Sequence, residues 1–143
     1  MRRSVIVDTT VRVVFPAIVL LSLYFLFAGH NQPGGGFVGG LVVGGAAALR
    51  YVAGGVDEVQ STFRFSPALP LGAGLALASG TALVPLLLGD AILESAKRSV
   101  DVPVLGTVNV TSVLVFDTGV YLVVLGVVLA TIVAFGRDEE ATP

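Results

Sequence analysis

The sequence predicts an all-α membrane protein of four transmembrane helices with no soluble domain. Three observations lead there: four long apolar runs, too few charges to wet a globule, and no alternation of polarity within the runs. Of the 143 residues, 55% are hydrophobic and only 13% charged, with a mean hydropathy of +0.93. A soluble domain carries roughly 25% charged residues, because its surface must stay hydrated. Four apolar segments packed into so short a chain leave nothing to cover them except lipid.

A helix needs about 20 mostly apolar residues to cross the hydrocarbon core. The first run lies at about 11–28 and holds Pro16. The second, about 36–53, is rich in glycine. The third, about 69–88, holds Pro70 and Pro85. The fourth, about 108–135, is the most apolar and is interrupted by Asn109 and Asp117. A membrane barrel would need eight or more strands of alternating polarity, and these runs are continuous. The whole chain, 1–143, reads as a single transmembrane domain. Arg2 and Arg3 ahead of an apolar stretch suggest a leader, but Asp8 and Arg12 interrupt it, the run is long, and no small-residue cleavage pattern precedes His30. It reads as a retained first helix.

Four spans put both termini on one side. That side carries Arg2, Arg3, Arg12, Arg50, Arg64 and Arg137, against Lys97 and Arg98 on the other. The positive-inside rule therefore places both termini in the cytoplasm. Arg12 and Arg50 fall near helix ends and are expected to snorkel to the interface.

Composition also excludes functions. With a net charge of −2 nothing suggests a nucleic-acid partner, and no basic cluster of about four to eight Lys/Arg marks an anionic-lipid switch. With no cysteine and one histidine, no dedicated metal site or cofactor is expected. Nucleotide-binding, serine-hydrolase and zinc-protease motifs are all missing, so no catalytic residues are expected.

Two features stand out instead. The turn Gly29-His30-Asn31-Gln32-Pro33-Gly34-Gly35-Gly36-Phe37 leads into the second helix. Pro33 fixes φ there, and the glycines allow conformations that a Cβ forbids. Within the helix, Gly36, Gly40, Gly44 and Ala48 recur every four residues, the small-residue spacing that lets membrane helices approach closely. The plain reading is a tight turn plus a packing groove. The other is that His30, Asn31 and the glycine backbone line an ion or water path, since bare backbone at membrane depth persists only where protein or water satisfies it. Asp117 is the second feature, placed one to two turns from the middle of the fourth helix. A carboxylate at helix centre costs roughly 2.5–3.5 kcal/mol on insertion scales and is rarely left facing lipid. A proton or cation relay, an ion pair with a partner subunit, and a protonated structural acid all remain open. Thr118 and Tyr121 lie close enough along the helix to tune it.

Three blocks carry a family resemblance: TTVRVVFPAIVLLSLYFLFAGHNQPGGGFVGGL, GTALVPLLLGD and VLVFDTGVYLVVLGVVL. In content, order and spacing the sequence resembles the B-type subunit (the MnhB/MrpB family) of the multisubunit Mrp-type (Mnh or Sha) Na+/H+ antiporters of bacteria. That resemblance implies a complex of seven different membrane subunits, similar to the membrane arm of respiratory complex I, that exchanges Na+ for H+. It implies the other Mrp subunits as partners, and a role for the MnhB-like chain in assembly and in the sodium route. Similar modules also occur in redox-driven, hydrogenase-type complexes, and a purely structural subunit is the third reading. Four helices with no internal repeat are too little for coupled exchange alone, so antiport belongs to the complex.

The topology carries a direct test. Single cysteines replacing Gln32 and Ser99 should react with an impermeant maleimide from outside the cell. Reaction only in everted vesicles would reverse the orientation.

Overall fold

A computed structural model describes the backbone of residues 5–29, 34–87, 97–102 and 106–140, and the side chains of 5–29, 34–83 and 112–136. The elements in order are α1 (Val5–Ala28), α2 (Gly36–Thr62), α3 (Ala68–Leu87), an antiparallel hairpin of β1 (Lys97–Val102) and β2 (Gly106–Thr111), and α4 (Ser112–Glu140). The chain is an all-α membrane protein in architecture, and the hairpin sits in the connection between α3 and α4. Among the described residues, α1, α2 and the Ser112–Gly136 stretch of α4 are long and apolar enough to cross a membrane. The apolar part of α3, Ala68–Leu83, is shorter.

The helices stand in a row, α1–α2–α4–α3. α1 packs mainly on α2, α2 on α4, and α4 on α3. α2 and α4 run parallel, whereas α1 and α3 run antiparallel to their neighbours. The central seam buries Leu26, Val43, Ala47, Val59, Tyr121, Leu125 and Leu129 in one cluster. α1 buries only a stripe of Val11, Ser22 and Leu26, and turns Leu20, Tyr24 and Phe27 outward. Such a row cannot cover its own outer faces; lipid or neighbouring helices must.

Several boundaries differ from the sequence reading. α1 reaches back at least to Val5, beyond the expected start near residue 11, and Asp8 and Arg12 pair at 3.1 Å one turn apart on this polar stretch. Val108–Thr111 belong to β2 rather than to α4, which runs on to Glu140. α2 extends to Thr62, past the expected end near 53, but it is broken at Gly55, where φ is 75° and ψ −165°. That conformation suits glycine. The segment beyond the break buries Val56 and Val59 and exposes Asp57, Gln60 and Ser61.

Arg50 ties the two parts of α2 together. Its Nη1 donates to Glu58 Oε1 at 2.7 Å across the break, and its guanidinium lies 4.6 Å from the centroid of the Phe15 ring on α1. The two charged side chains are only 15% and 18% exposed. The expected snorkelling of Arg50 is therefore corrected: the charge turns inward onto an acid and an aromatic face of its own chain. Arg12, at 66% exposed, does reach outward.

The α2–α4 seam depends on missing side chains. A β-carbon on Gly36 would collide with the backbone carbonyl of Asp117. On Gly40 it would stand 2.8 Å from Val124 Cβ and 3.1 Å from the Tyr121 carbonyl oxygen, and on Gly44 2.9 Å from a Val128 methyl. The fourth expected member, Ala48, is exposed. A step of four residues advances 400° where a turn is 360°, so the row drifts about 40° per step and leaves the interface by its third step. The buried face instead follows Gly36, Gly39, Gly40, Val43, Gly44, Ala46 and Ala47.

Substitution by alanine should rank these positions. Gly45 has open space around it, so Gly45→Ala should be neutral or stabilising by up to about 1 kcal/mol from helix propensity. Gly44→Ala meets only the Val128 side chain, which is β-branched and holds one preferred rotamer in a helix, and should cost about 1 kcal/mol. Gly40→Ala and Gly36→Ala meet backbone and should cost roughly 1–3 kcal/mol or more from overpacking. Thermal aggregation of the purified assembly measures the order; equal tolerance at Gly36 and Gly45 would contradict the seam.

Candidate functional site

The end of the bundle at which α2 and α4 begin brings together the two features singled out in the sequence. The entry into α2 is closed by one acceptor: the Phe25 carbonyl takes the amides of both Gly29, at 3.1 Å, and Gly35, at 2.9 Å. Gly29 and Gly35 consequently stack backbone on backbone, with no room for a Cβ on Gly29. Gly35 is the N-cap of α2, with φ 93° and no side chain to cap the helix. It needs glycine twice, for its dihedral and for its neighbour.

That neighbour is Asp117. A β-carbon on Gly35 would lie 3.3 Å from Oδ2 of Asp117, and Gly36 rests on the Asp117 main chain. The carboxylate thus stands beside the first turn of α2, whose leading amides have no partner within the helix and carry its positive dipole end. Asp117 itself is half-buried. It is the sixth residue of α4, so it lies more than two turns from the helix middle and closer to the end than the sequence reading placed it. The nearer a charge lies to the interface, the smaller the cost of holding it.

Thr118 and Tyr121 do not serve Asp117 directly. Thr118 Oγ1 donates to the Leu114 carbonyl at 2.8 Å, a local bond along α4. The Tyr121 hydroxyl is 2.7 Å from Ser22 Oγ of α1, and both residues are buried. The Tyr121 ring passes beside Gly39, where a Cβ would be 3.1 Å from it. Sequence reasoning misses Ser22; a lone serine in an apolar helix is its one signal. It misses a second close seam too: Gly74 of α3 packs on Gly119 of α4, and Gly126 of α4 on Leu71 of α3. The seven-residue spacing of Gly119 and Gly126 marks that face.

Of the turn residues, Gly34 packs on the Phe25 carbonyl and Gly29, while Phe37 points outward, 57% exposed. His30, Asn31 and Pro33 lie outside the described residues, so the structure brings together Gly34, Gly35, Gly36 and Asp117 from the expected set. Among the described residues, no three His, Cys, Asp or Glu side chains gather as metal ligands.

Residues 6–130 match the family model for a domain related to the MnhB subunit of Na+/H+ antiporters. The chain belongs to the MnhB family. It is 37% identical to the B-type Na+/H+ antiporter subunit of Alkalihalophilus pseudofirmus (strain ATCC BAA-2126 / JCM 17055 / OF4) over 95% of this chain and 94% of that one. To the corresponding antiporter subunit of Bacillus subtilis (strain 168) it is 35% identical, over 95% of each. Its fold matches part of the solved Mrp complex of Dietzia sp. DQ12-45-1b with a TM-score of 0.79 and 36% identity. The match covers 97% of this chain and 15% of that one. An MnhB module is thus nearly the whole of some chains and a small part of another.

The Ser22–Tyr121 bond links α1 to α4 across α2 and can be weighed. Hydrogen bonds between membrane helices are worth roughly 0.6–2 kcal/mol. Ser22→Ala and Tyr121→Phe should each destabilise the assembly by about that much, and the double variant by no more than either alone. Full additivity in thermal stability would show that the two hydroxyls act separately.

Proposed function

We propose that this chain is an accessory membrane subunit of a multisubunit Na+/H+ antiporter, lying multi-pass in the bacterial plasma membrane with both termini in the cytoplasm. It carries out no covalent chemistry; it moves ions as part of the assembly, with the other Mrp-type subunits as partners and Na+ and H+ as the ions of the whole. Family membership over nearly the full chain supports this, together with the uncovered faces of the helix row.

One observation carries the more specific role. The Asp117 carboxylate stands against the glycine-built start of α2 and remains half open to what lies outside the chain. The leading amides of α2 favour negative charge there, and among the described residues no basic side chain pairs with it. A fixed anion beside bare glycine backbone, near one mouth of the bundle, is a place where a cation or proton pauses on its way through the complex. The glycines 34–36 form the described part of that mouth, His30, Asn31 and Pro33 precede them in sequence, and Gly40 and Gly44 let α2 lie close beside α4.

Asp117→Asn separates this role from its rivals. Asparagine keeps the shape and an acceptor oxygen, so losing the charge beside α2 should cost about 1 kcal/mol or less and assembly should hold. It cannot titrate and is a poor cation ligand, so exchange in everted vesicles should fall about tenfold or more, and Asp117→Glu should restore part of it. Reduced complex yield would point to an ion pair with a partner subunit. Intact yield with unchanged exchange would leave the residue structural.

A further inference from the structure

The opposite end of the bundle holds a groove that the antiport role does not use. Between the end of α2 and the start of α3, residues 63–67 pass over α4 and leave a space of about 470 Å³ against Val133. Phe63, Phe65 and Pro67 supply its apolar walls, and a narrow cleft continues from it to Val59 and Leu129 in the core. Among the described residues its polar groups are Gln60, Ser66 and Arg64, one cation and no carboxylate. The nearest acid along α2, Glu58, is already engaged by Arg50. Arg64 is exposed and, among the described residues, makes no ion pair. α3 starts at the same place, with Leu69 and Leu71 amides bonded back to the carbonyls of Ser66 and Pro67.

We propose that this junction binds one anionic glycerophospholipid, its phosphate on Arg64 and an acyl chain along Phe65, Pro67 and Val133. Three features select that occupant over a soluble ligand. The groove lies where two apolar helices end, the depth at which lipid headgroups lie. It joins a single positive charge to an apolar wall, the two halves of a phospholipid in the order that the bilayer presents them. Its neutral donors, Ser66 and Gln60, suit phosphate or glycerol oxygens, and none of its described lining residues is an acid. The proposal requires only that the helices lie in a membrane; it stands or falls separately from the role of Asp117.

The test uses the chain in its native membrane assembly, reconstituted in vesicles of phosphatidylcholine doped with either phosphatidylglycerol or phosphatidylcholine carrying a photoreactive acyl chain. Peptide mapping reads the crosslinks to the segment that holds Phe63–Pro67. The phosphatidylglycerol probe should label it above the phosphatidylcholine probe. Arg64→Gln should reduce the phosphatidylglycerol signal about five-fold, the effect of one basic residue near a lipid surface, and leave phosphatidylcholine unchanged. Arg64→Lys should retain most of it. Equal labelling by the two lipids, or a phosphatidylglycerol signal indifferent to Arg64→Gln, overturns the proposal. So does labelling by neither lipid, which would mean that a polypeptide fills the groove. Competition by millimolar inorganic phosphate with the acyl label lost would make it a soluble-anion site instead, and would equally overturn it.

Discussion

Everything positioned in this structure depends on how closely α2 approaches α4. Gly36, Gly40 and Gly44 let the backbones meet, and the contact at Gly36 falls on the Asp117 main chain itself. In lipid no hydrophobic force drives helices together, because the tails are as apolar as the side chains; close packing and hydrogen bonds must do it. The glycine seam supplies the first, and Ser22–Tyr121, placed beside Gly39, supplies the second. Both act at the same level of the bundle, so the start of α2 is held on two sides. Asp117 meets Gly35 because that seam is closed.

The two ends of the bundle handle charge in opposite ways. At the end where α2 and α4 begin, Asp117 has backbone amides for company and stays half open. Toward the other end, Arg50 is matched within its own chain by Glu58 and the Phe15 ring, and the pair spans the break at Gly55. A largely buried cation without an acid would be expensive, and removing one partner of such a pair typically costs 3–5 kcal/mol. The pair therefore belongs to structure: it fixes the angle at which the last two turns of α2 leave the membrane-spanning part. The carboxyl group of Asp117 has no such ion-pair partner among the described residues.

Much of this was legible in the residues. α1, α2 and α4 follow from apolar length, since a bilayer demands about 20 residues, whereas the described apolar part of α3 is shorter. The glycine face and Asp117 were legible because each carries a cost that only a specific use offsets. Their meeting was not: it depends on the parallel offset of α2 and α4, which is a tertiary fact. The fate of Tyr121 was hidden for the same reason, because its partner Ser22 is 99 residues away. Ala48 shows a different limit, since a four-residue repeat reads as one face on paper and drifts off it around a real helix. Arg50 shows a third: snorkelling is the default for a basic side chain near a helix end, and it yields when an acid lies across a kink that only Gly55 permits.

The row arrangement bears on what a chain of this size can do. A transporter that works alone encloses its ion between repeats, with broken helices facing each other at the midplane. Here the sharp break at Gly55 lies near the end of α2, and the open acid lies near the opposite end of the bundle. A row also has two broad sides and no interior beyond its seams. Asp117 lies near one rim, half-buried against the start of α2. That is the geometry of a component, and it agrees with an MnhB module that in one solved complex is a minor part of a longer chain. Among the described residues the fold supplies a row of helices and one half-open carboxyl group, and lipid or neighbouring helices cover the rest.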